Sequence, residues 1–267
     1  MSEAKGWLSL AMEAAREAGE ILDRKLTEPR EVAYKAKRSM VTDADYAAQE
    51  LIVRRIREAF PDHDIMSEEM KNRDQPLADP VTPLWIIDPL DGTTNYAHRW
   101  PSYCVSIAIS LEGSVAAGAV YDPNLEELFH GLRGAGAYLN GSRLKVSDAG
   151  DLEESLMAMN WPYEHHHVAR ASGLLAYLVP RVGTMRSTGS AALSLCYVAA
   201  GRADFYFHPR LNAWDVAAAG LILSEAGGTL TDFQGRPWAL DSEECLGTNG
   251  LLFGEVVGGI ASGEAGR

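Results

Sequence analysis

An apolar, β-branched segment runs straight into two carboxylates in the stretch WIIDPLDGTTN, residues 85–95. The apolar part predicts a buried strand, and Pro89 is predicted to end it because proline cannot donate to a central ladder. Asp88 and Asp91 would then lie close together at the carboxyl end of that strand. Two buried anions repel each other and lose hydration, and a hard cation such as Mg²⁺ removes both costs. The stretch therefore predicts a metal site.

The residues that follow Asp91 predict a loop that can hold a phosphate. Gly92 permits a tight turn, and the backbone N–H groups after it can surround an anion. The alternative is an ordinary aspartate-rich turn, which is what a DPxDG sequence forms in most proteins. Acidic positions elsewhere in the chain favour the metal and phosphate interpretation.

Other carboxylates recur at the ends of predicted elements. Thr42 and Asp45 are spaced as a capping box at a helix start, so Asp45 has a structural interpretation beside its functional one. Glu68 and Glu69 follow a short apolar strand, which repeats the strand-then-carboxylate pattern, although they could also begin a solvated loop. Asp215 sits where another helix begins, and a role in capping that helix explains it equally well.

Charge and composition narrow the functional classes. The 267-residue chain is 46% hydrophobic and carries a formal net charge of −13, which argues against general nucleic-acid binding. This charge would also repel a phosphorylated substrate unless metal ions reverse the field locally. The N-terminal segment lacks the apolar core of a signal peptide, and no run of about 18 apolar residues predicts a membrane span. Cys104, Cys196 and Cys245 are widely spaced, so we expect free, buried thiols in a reducing cytosol.

Apolar periodicity predicts the rest of the fold. The pattern predicts an amphipathic first helix through Leu8 and Leu22, apolar helices at 191–200 and 216–223, a largely antiparallel sheet over 84–146 with a hairpin at Asn140-Gly141, and late strands at 229–231 and 251–253. Surface loops are predicted at 34–39, 70–80 and 164–167. The basic loop 34–39 could cover a phosphate or be solvated. Residues 164–167, Glu-His-His-His, predict a solvated loop, because adjacent histidines on a regular element would not all face one metal.

With these motifs, the chain resembles the inositol monophosphatase family, within the fructose-bisphosphatase-like superfamily, along essentially its whole length. The sequences WIIDPLDGTTN and WDVAAAGLILSEAGG match the two family signatures, SEE matches its glutamate site, and VTDAD matches its helix-start aspartate. Within the family, the chain resembles bacterial inositol-1-monophosphatase-like proteins. The resemblance implies an α+β fold, a layered αβαβα sandwich, with an N-terminal metal- and phosphate-binding half (1–146) and a C-terminal half (147–267) that completes the active site.

The resemblance also implies an activity. It implies Mg²⁺-dependent, often Li⁺-sensitive hydrolysis of a small phosphorylated metabolite by in-line attack of a water that the metal activates, with two to three Mg²⁺ per site. A cytoplasmic homodimer is implied, with no nucleic-acid or membrane partner. Metal ligands are implied at Glu68, Asp88, the Leu90 carbonyl, Asp91 and Asp215, and catalytic roles at Asp45, Thr93 and Glu68. Substrate contacts are implied at Asp91, Gly92, Thr93, Gly189, Ser190, Ala191 and His208.

Position 208 departs from the family pattern. Inositol-specific members have a glutamate seven residues before the last aspartate, where this chain has His208. An imidazole cannot replace a bidentate acceptor of ring hydroxyls, so the departure affects preference for inositol rather than the chemistry. Inositol 1-phosphate is the favoured substrate, and fructose 1,6-bisphosphate, histidinol phosphate and 3′-phosphoadenosine 5′-phosphate are the alternatives.

Two rival functions have sequence features of their own. An aspartyl-phosphate phosphatase also carries DGT after its nucleophile, but it spaces its aspartates D-x-D, whereas this chain has D-x-x-D with a proline between them. A regulatory binding role is the second rival, because some bacterial members of the family engage the transcription machinery. The intact set of acidic residues argues for retained phosphatase activity and is compatible with a second, regulatory role.

Overall fold

The structure is a computed structural model that describes residues 2–28, 32–36, 39–70 and 81–265. The helices are α1 (Ser2–Leu26), α2 (Asp43–Ala59), α3 (Thr93–Ala97), α4 (His165–Leu178), α5 (Ala191–Ala199), α6 (Ala213–Glu225) and α7 (Phe253–Ala265), with a 3₁₀ turn at Leu152–Glu154. Within the described ranges, no helix has the length and apolar character that crossing a bilayer requires. The three cysteines are free and buried, as the sequence predicts.

The larger sheet is a nearly continuous meander. Its strands, in spatial order, are β3 (Asp64–Ser67), β4 (Leu84–Asp91), β5 (Cys104–Leu111), β6 (Ser114–Asp122), β7 (Glu127–Leu132), β8 (Gly136–Leu139) and β9 (Ser142–Arg143). Strands β3 and β4 are parallel, and each later neighbour is antiparallel. The tight turn between β8 and β9 places both Asn140 and Gly141 at positive φ, which suits the Asn-Gly pair.

The smaller sheet is mixed. It contains β10 (Leu156–Met159), β11 (Thr184–Arg186), β12 (Phe205–His208), β13 (Thr229–Thr231) and β14 (Cys245–Thr248), in the order β11-β10-β12-β14-β13. Strand β10 is parallel to both of its neighbours, and β14 is antiparallel to both of its own. A separate antiparallel hairpin joins β1 (Val32–Ala36) to β2 (Ser39–Thr42).

The elements stack in five layers, because the apolar side chains of each sheet alternate between two cores. In β4, Trp85 and Ile87 pack in the core under α1 and α2, whereas Ile86 belongs to the core around α5 and α6. In β12, Tyr206 joins that same central core, and its neighbours pack against α4 and α7. The order helix, sheet, helix, sheet, helix is the predicted αβαβα sandwich. Helix α6 is buried almost all round, as its central place requires.

The prediction that Pro89 ends its strand is wrong. Strand β4 continues to Asp91, and its register with β5 shifts between the pairs Asp88–Ser106 and Asp91–Cys104. The proline therefore lies in an irregular stretch where no regular ladder bond is required of it. Ile87 is the last residue of β4 that pairs with β3, so Pro89 is not required to donate a hydrogen bond on that side either. The bulged stretch leaves both aspartates buried at the end of the strand.

Three further local predictions differ from the structure. Residues predicted as the basic loop 34–39 fall largely in the β1–β2 hairpin. A two-stranded hairpin can form without a continuous apolar face, so the polar residues gave no sign of these strands. Residues 37–38 of that loop, and 71–80 of the loop predicted at 70–80, lie outside the described residues. Residues 251–253 form no strand, because Leu252, Val256 and Ile260 recur at helical spacing and α7 begins at Phe253. The histidines predicted to lie in a loop form the first turn of α4.

Candidate active site

Three carboxylates converge between the two sheets. Asp88 and Asp91 come from the end of β4, and Asp215 comes from the first turn of α6. One oxygen of each lies within 4.8 Å of an oxygen of the other two. Glu68 directly follows β3, its backbone N–H donates to the Ile87 carbonyl at 3.1 Å, and its negative charge raises the pKa of Asp88. The strand ends and the helix start thus gather four acidic residues that are distant in sequence.

The electrostatics of this cluster are unfavourable without a cation. Burial raises the pKa of Asp88 and of Asp215 well above the usual range, and repulsion from Glu68 and Asp91 raises both further. Burial also raises the pKa of Asp91 to about 6, although hydrogen bonds from Ser190 and Ala192 oppose the shift. Among the described residues, no lysine or arginine forms an ion pair with these three aspartates. These three aspartates therefore hold negative charge that no lysine or arginine in the described ranges neutralises by direct pairing.

The oxygen atoms of the cluster fit a divalent metal ion. Asp88 Oδ1 accepts a hydrogen bond from the Leu90 N–H at 3.0 Å, while Asp88 Oδ2 is buried and has no partner within the described structure. Asp215 Oδ2 accepts from the Asn212 N–H at 2.7 Å, which closes a capping box at the start of α6. One oxygen of each aspartate is thus fixed by a backbone N–H, and Asp88 Oδ2 remains without a partner in the described ranges. An all-oxygen ligand set of this kind suits a hard cation.

The side chain of Asp45 both caps helix α2 and contacts Thr93. Its Oδ2 accepts from the Thr42 N–H at 2.8 Å and from Thr42 Oγ1 at 2.6 Å, which is the capping box of α2. Its Oδ1 lies 3.2 Å from Thr93 Oγ1, which in turn lies 3.0 Å from the Leu90 carbonyl. Burial raises the pKa of Asp45 to about 7. The two interpretations of Asp45 that the sequence allows are therefore compatible with each other.

The loop after Asp91 is shaped by a glycine. Gly92 has a φ of +96°, and a Cβ built on it would lie 2.9 Å from the Ser102 carbonyl oxygen. Only glycine fits such a position without moving the backbone. Helix α3 begins at the next residue, Thr93, so the first backbone N–H groups of this loop directly follow the acidic cluster.

The start of α5 is bound to this same region. Ser190 Oγ donates to Asp91 Oδ2 at 2.6 Å and also accepts from the Leu193 N–H at 3.1 Å, so this buried hydroxyl is engaged within the protein. The Ala192 N–H donates to the same Asp91 oxygen at 2.7 Å. Gly189 has a φ of +82°, and Ala191 is nearly buried. Residues 189–191 thus lie beside Asp91, with Ser190 orienting it.

Asn95 connects the two parts of the site and was not identified from the sequence. Its side-chain amide donates to the Ser102 carbonyl at 2.6 Å and to the Thr188 carbonyl at 2.7 Å. A Cβ built on Gly189 would lie 2.4 Å from Asn95 Nδ2, so the two residues are in direct contact. The only sequence signal was its place at the end of the 85–95 run.

His208 lies on the face of β12 that points toward the cluster. Residues two apart on a strand share a face, and Tyr206 on that face belongs to the central core. The His208 side chain is buried, and its Nδ1 accepts from the Arg210 N–H at 3.2 Å. Burial lowers the pKa of His208 to about 4. The imidazole is therefore neutral, with its proton on Nε2.

Tyr163 lies near the acidic cluster and was also missed by sequence reasoning. Its hydroxyl is within hydrogen-bonding reach of the Thr94 side chain, and burial together with the charges of Asp91, Glu68 and Asp215 raises its pKa. Half of the side chain, 52%, is nevertheless exposed. No residue pattern around 161–164 indicates this placement.

Comparison with known proteins gives consistent matches over the whole chain. The model of the inositol monophosphatase family matches residues 3–260. Nus factor SuhB of Escherichia coli strain K12 is 39% identical over 258 residues, covering 94% of this chain and 90% of its own. Inositol monophosphatase 1 of Solanum lycopersicum is 38% identical over 248 residues, covering 91% and 90%.

Solved structures agree with the sequence matches. An inositol monophosphatase of Thermotoga maritima superposes with a TM-score of 0.89 at 35% identity, covering 98% of this chain and 99% of its own. The inositol monophosphatase from Anabaena has a TM-score of 0.82 at 34% identity, covering 97% and 96%. These structures have the same mixed α/β fold.

Proposed function

Because the chain belongs to the inositol monophosphatase family, we propose that it is a Mg²⁺-dependent phosphatase of small phosphate monoesters, with inositol 1-phosphate as its first expected substrate. The observation that carries this proposal is the buried acidic cluster, in which Asp88 Oδ2 has no partner among the described residues. A buried, unpaired carboxylate oxygen is costly unless a cation binds it. The two halves, 1–146 and 147–267, each contribute part of the proposed site.

In this proposal the metal ligands are Glu68, Asp88, the Leu90 carbonyl, Asp91 and Asp215, with two to three Mg²⁺ per site. Bound ions of this kind lower the pKa of a water, neutralise phosphate charge and stabilise a leaving alkoxide. The hydrogen bonds from Ser190 and Ala192 hold Asp91 in one orientation, and the capping box of α6 does the same for Asp215. Fixed ligands reduce the reorganisation that turnover requires.

The proposed proton-handling pair is Asp45 and Thr93. Thr93 Oγ1 orients the attacking water, and Asp45 Oδ1, 3.2 Å away, holds the proton that the hydroxyl passes on. A buried carboxylate that accepts a hydrogen bond from this hydroxyl is placed to receive the proton. Backbone N–H groups of Gly92 and Thr93 hold the phosphate, and the absence of a side chain on Gly92 allows the close approach.

The alcohol portion of the substrate is proposed to lie against Gly189, Ser190, Ala191 and His208. Neutral His208 offers one donor, Nε2–H, and no pair of acceptors for vicinal ring hydroxyls. Fructose 1,6-bisphosphate, histidinol phosphate and 3′-phosphoadenosine 5′-phosphate are therefore tested beside inositol 1-phosphate. Phosphate release with Mg²⁺ across this panel, compared as kcat/KM, identifies the substrate.

Asp88→Asn is the decisive variant for the proposed metal site. It removes the negative charge on the unpaired oxygen while keeping the volume of the side chain, so we expect folding to persist and kcat to fall by at least about a thousandfold. Asp62→Asn, an exposed residue outside the cluster, is the matched control and should turn over normally. Near-normal kcat of Asp88→Asn at modest Mg²⁺ would refute the proposed metal site.

A second role as a regulatory binding protein has one supporting observation. Several similar proteins bear the name Nus factor SuhB, at 39% identity over most of this chain. A pull-down from bacterial extract at physiological salt, with Asp88→Asn as bait, tests for a protein partner that binds independently of turnover. Light scattering of the purified chain tests the homodimer that the family resemblance implies, and fractionation of the source cells tests the cytoplasmic location.

A further inference from the structure

The first turn of α4 carries a cluster that the proposed phosphatase does not use. Glu164 caps this helix with an extended backbone, and His166 and His167 follow inside the first turn. His166 Nε2 lies 3.6 Å from Glu164 Oε2, and the rings of His166 and His167 are 3.8 Å apart at their centroids. One ligand atom from each of the three residues lies within 4.8 Å of the other two. The side-chain conformations of the two adjacent histidines thus bring their rings together beside Glu164.

These atoms suit a different metal from the one at the acidic cluster. Two imidazole nitrogens and one carboxylate oxygen favour Zn²⁺, Ni²⁺ or Cu²⁺ over Mg²⁺, which prefers oxygen alone. A tetrahedral ion with metal–ligand bonds near 2.1 Å needs ligand atoms about 3.4 Å apart. The side chains of His166 and Glu164 are 70% and 64% exposed, so both are free to rotate by the small amount required.

The charges around the three residues do not exclude a cation. Arg210 is paired with Glu243 at 2.7 Å, which reduces the positive charge that an incoming cation meets. The positive end of the helix dipole opposes a cation, and the carboxylate of Glu164 offsets that repulsion.

We propose that Glu164, His166 and His167 form a binding site for a transition-metal ion of the Zn²⁺ class, with water as the fourth ligand. The site is separate from the acidic cluster, and it stands or falls independently of the proposed phosphatase activity.

Titration of the untagged full chain with Co²⁺ in saturating Mg²⁺ tests the site. Mg²⁺ occupies the oxygen ligands, and tetrahedral Co²⁺ bound to imidazole gives visible absorption that octahedral Co²⁺ largely lacks. We expect one equivalent to bind, and calorimetry with Zn²⁺ should give the same stoichiometry. Alanine at His166 or at His167 should each weaken binding at least about tenfold.

His165→Ala provides the matched control. This histidine is adjacent in sequence and exposed, but it is not among the three converging residues. We expect it to leave affinity unchanged, with circular dichroism confirming that all variants fold alike. Equal losses at positions 165, 166 and 167 would mean adventitious binding by any exposed histidine and would overturn the proposal. Binding that survives both His166→Ala and His167→Ala would overturn it as well.

Discussion

Asp45 illustrates how a structural contact can prepare a chemical one. Because Oδ2 is held by two hydrogen bonds from Thr42, the carboxylate has one orientation, and Oδ1 is aimed at Thr93 in the resting protein. No side-chain entropy is then lost when substrate arrives. A capping residue is usually exchangeable among short polar residues, but here both oxygens are in use.

Thr93→Val tests the role of this pair. Valine keeps the shape of threonine but removes the hydroxyl between Asp45 and the Leu90 carbonyl, so we expect kcat to fall by about 10²–10⁴-fold. Thr93→Ser keeps the hydroxyl and should recover most of the activity. Calorimetry with Mg²⁺ should show binding in both variants. A valine variant within threefold of the parent kcat would exclude Thr93 from the chemistry.

The sequence predicts the acidic residues of the site better than their supports. Asp88, Asp91 and Asp215 stand at strand and helix ends that hydrophobic periodicity locates, so local pattern suffices to find them. Asn95 and Tyr163 act through contacts with residues far away in sequence, such as the Asn95 bond to Thr188. One sequence without its partners in space carries no local signal for such contacts.

At the scale of elements, the contact between α3 and the start of α5 positions residues 189–191, which are proposed to contact the substrate. Asn95 spans it with a hydrogen bond to the Thr188 carbonyl and is fixed by a second one to the Ser102 carbonyl, and Gly189 leaves the room that the amide needs. The Asn160 side chain closes the other side by accepting from the Gly189 N–H at 2.8 Å. The loop that precedes α5 is therefore tightly packed against α3.

Gly189→Ala should disrupt this contact between α3 and the start of α5. Its Cβ would meet Asn95 Nδ2 at 2.4 Å, and a positive φ adds strain, so we expect a loss of about 2–5 kcal/mol in the free energy of unfolding. Gly113→Ala has a similar φ of +73° but open space around its Cβ. This control should lose only about 1–2 kcal/mol, measured by urea denaturation. Equal losses in the two variants would show that the contact with Asn95 is not tight.

The element-scale errors of sequence reading share one cause. At Pro89 and at residues 251–253, the prediction used only the secondary-structure preference of the residues and took no account of the element packed against them. Proline ends a strand only where a partner requires its N–H, and β3 no longer pairs at that point. Leu252 is apolar because it packs under α4 and α7, with its N–H bound by Asn249 Oδ1. Tertiary context, which one sequence does not display, reverses both preferences.

At the scale of the whole molecule, the site concentrates negative charge in a chain that is already acidic. Asp45 and Asp91 have pKa values raised to about 7 and about 6, and those of Asp88 and Asp215 are higher than usual as well. Between about pH 4 and 7 the folded, metal-free chain holds protons that the unfolded chain has lost. Stability is therefore highest at the acidic end of this range and falls as pH rises through the folded-state values.

Thermal melting across pH tests this linkage. In EDTA, Tm should fall on the order of 10 °C from pH 5 to pH 8, because the buried carboxylates ionise against one another. Saturating Mg²⁺ should remove most of that fall, since the cation binds only the ionised form. If the Tm of the metal-free chain rose from pH 5 to pH 8, the claim that the buried carboxylates destabilise the fold as they ionise would be wrong.

Helix α6, which carries Asp215 and lies between the two sheets, is translated late. A ribosome therefore exposes Asp88 and Asp91 on β4 well before the helix that completes their surroundings exists. During that interval the two acids stay hydrated, and the sheet lacks the apolar cover that α5 and α6 supply. We therefore expect capture of the proposed metal and closure of the central core to occur together, late in biosynthesis, and prematurely terminated chains that lack α6 to gain neither.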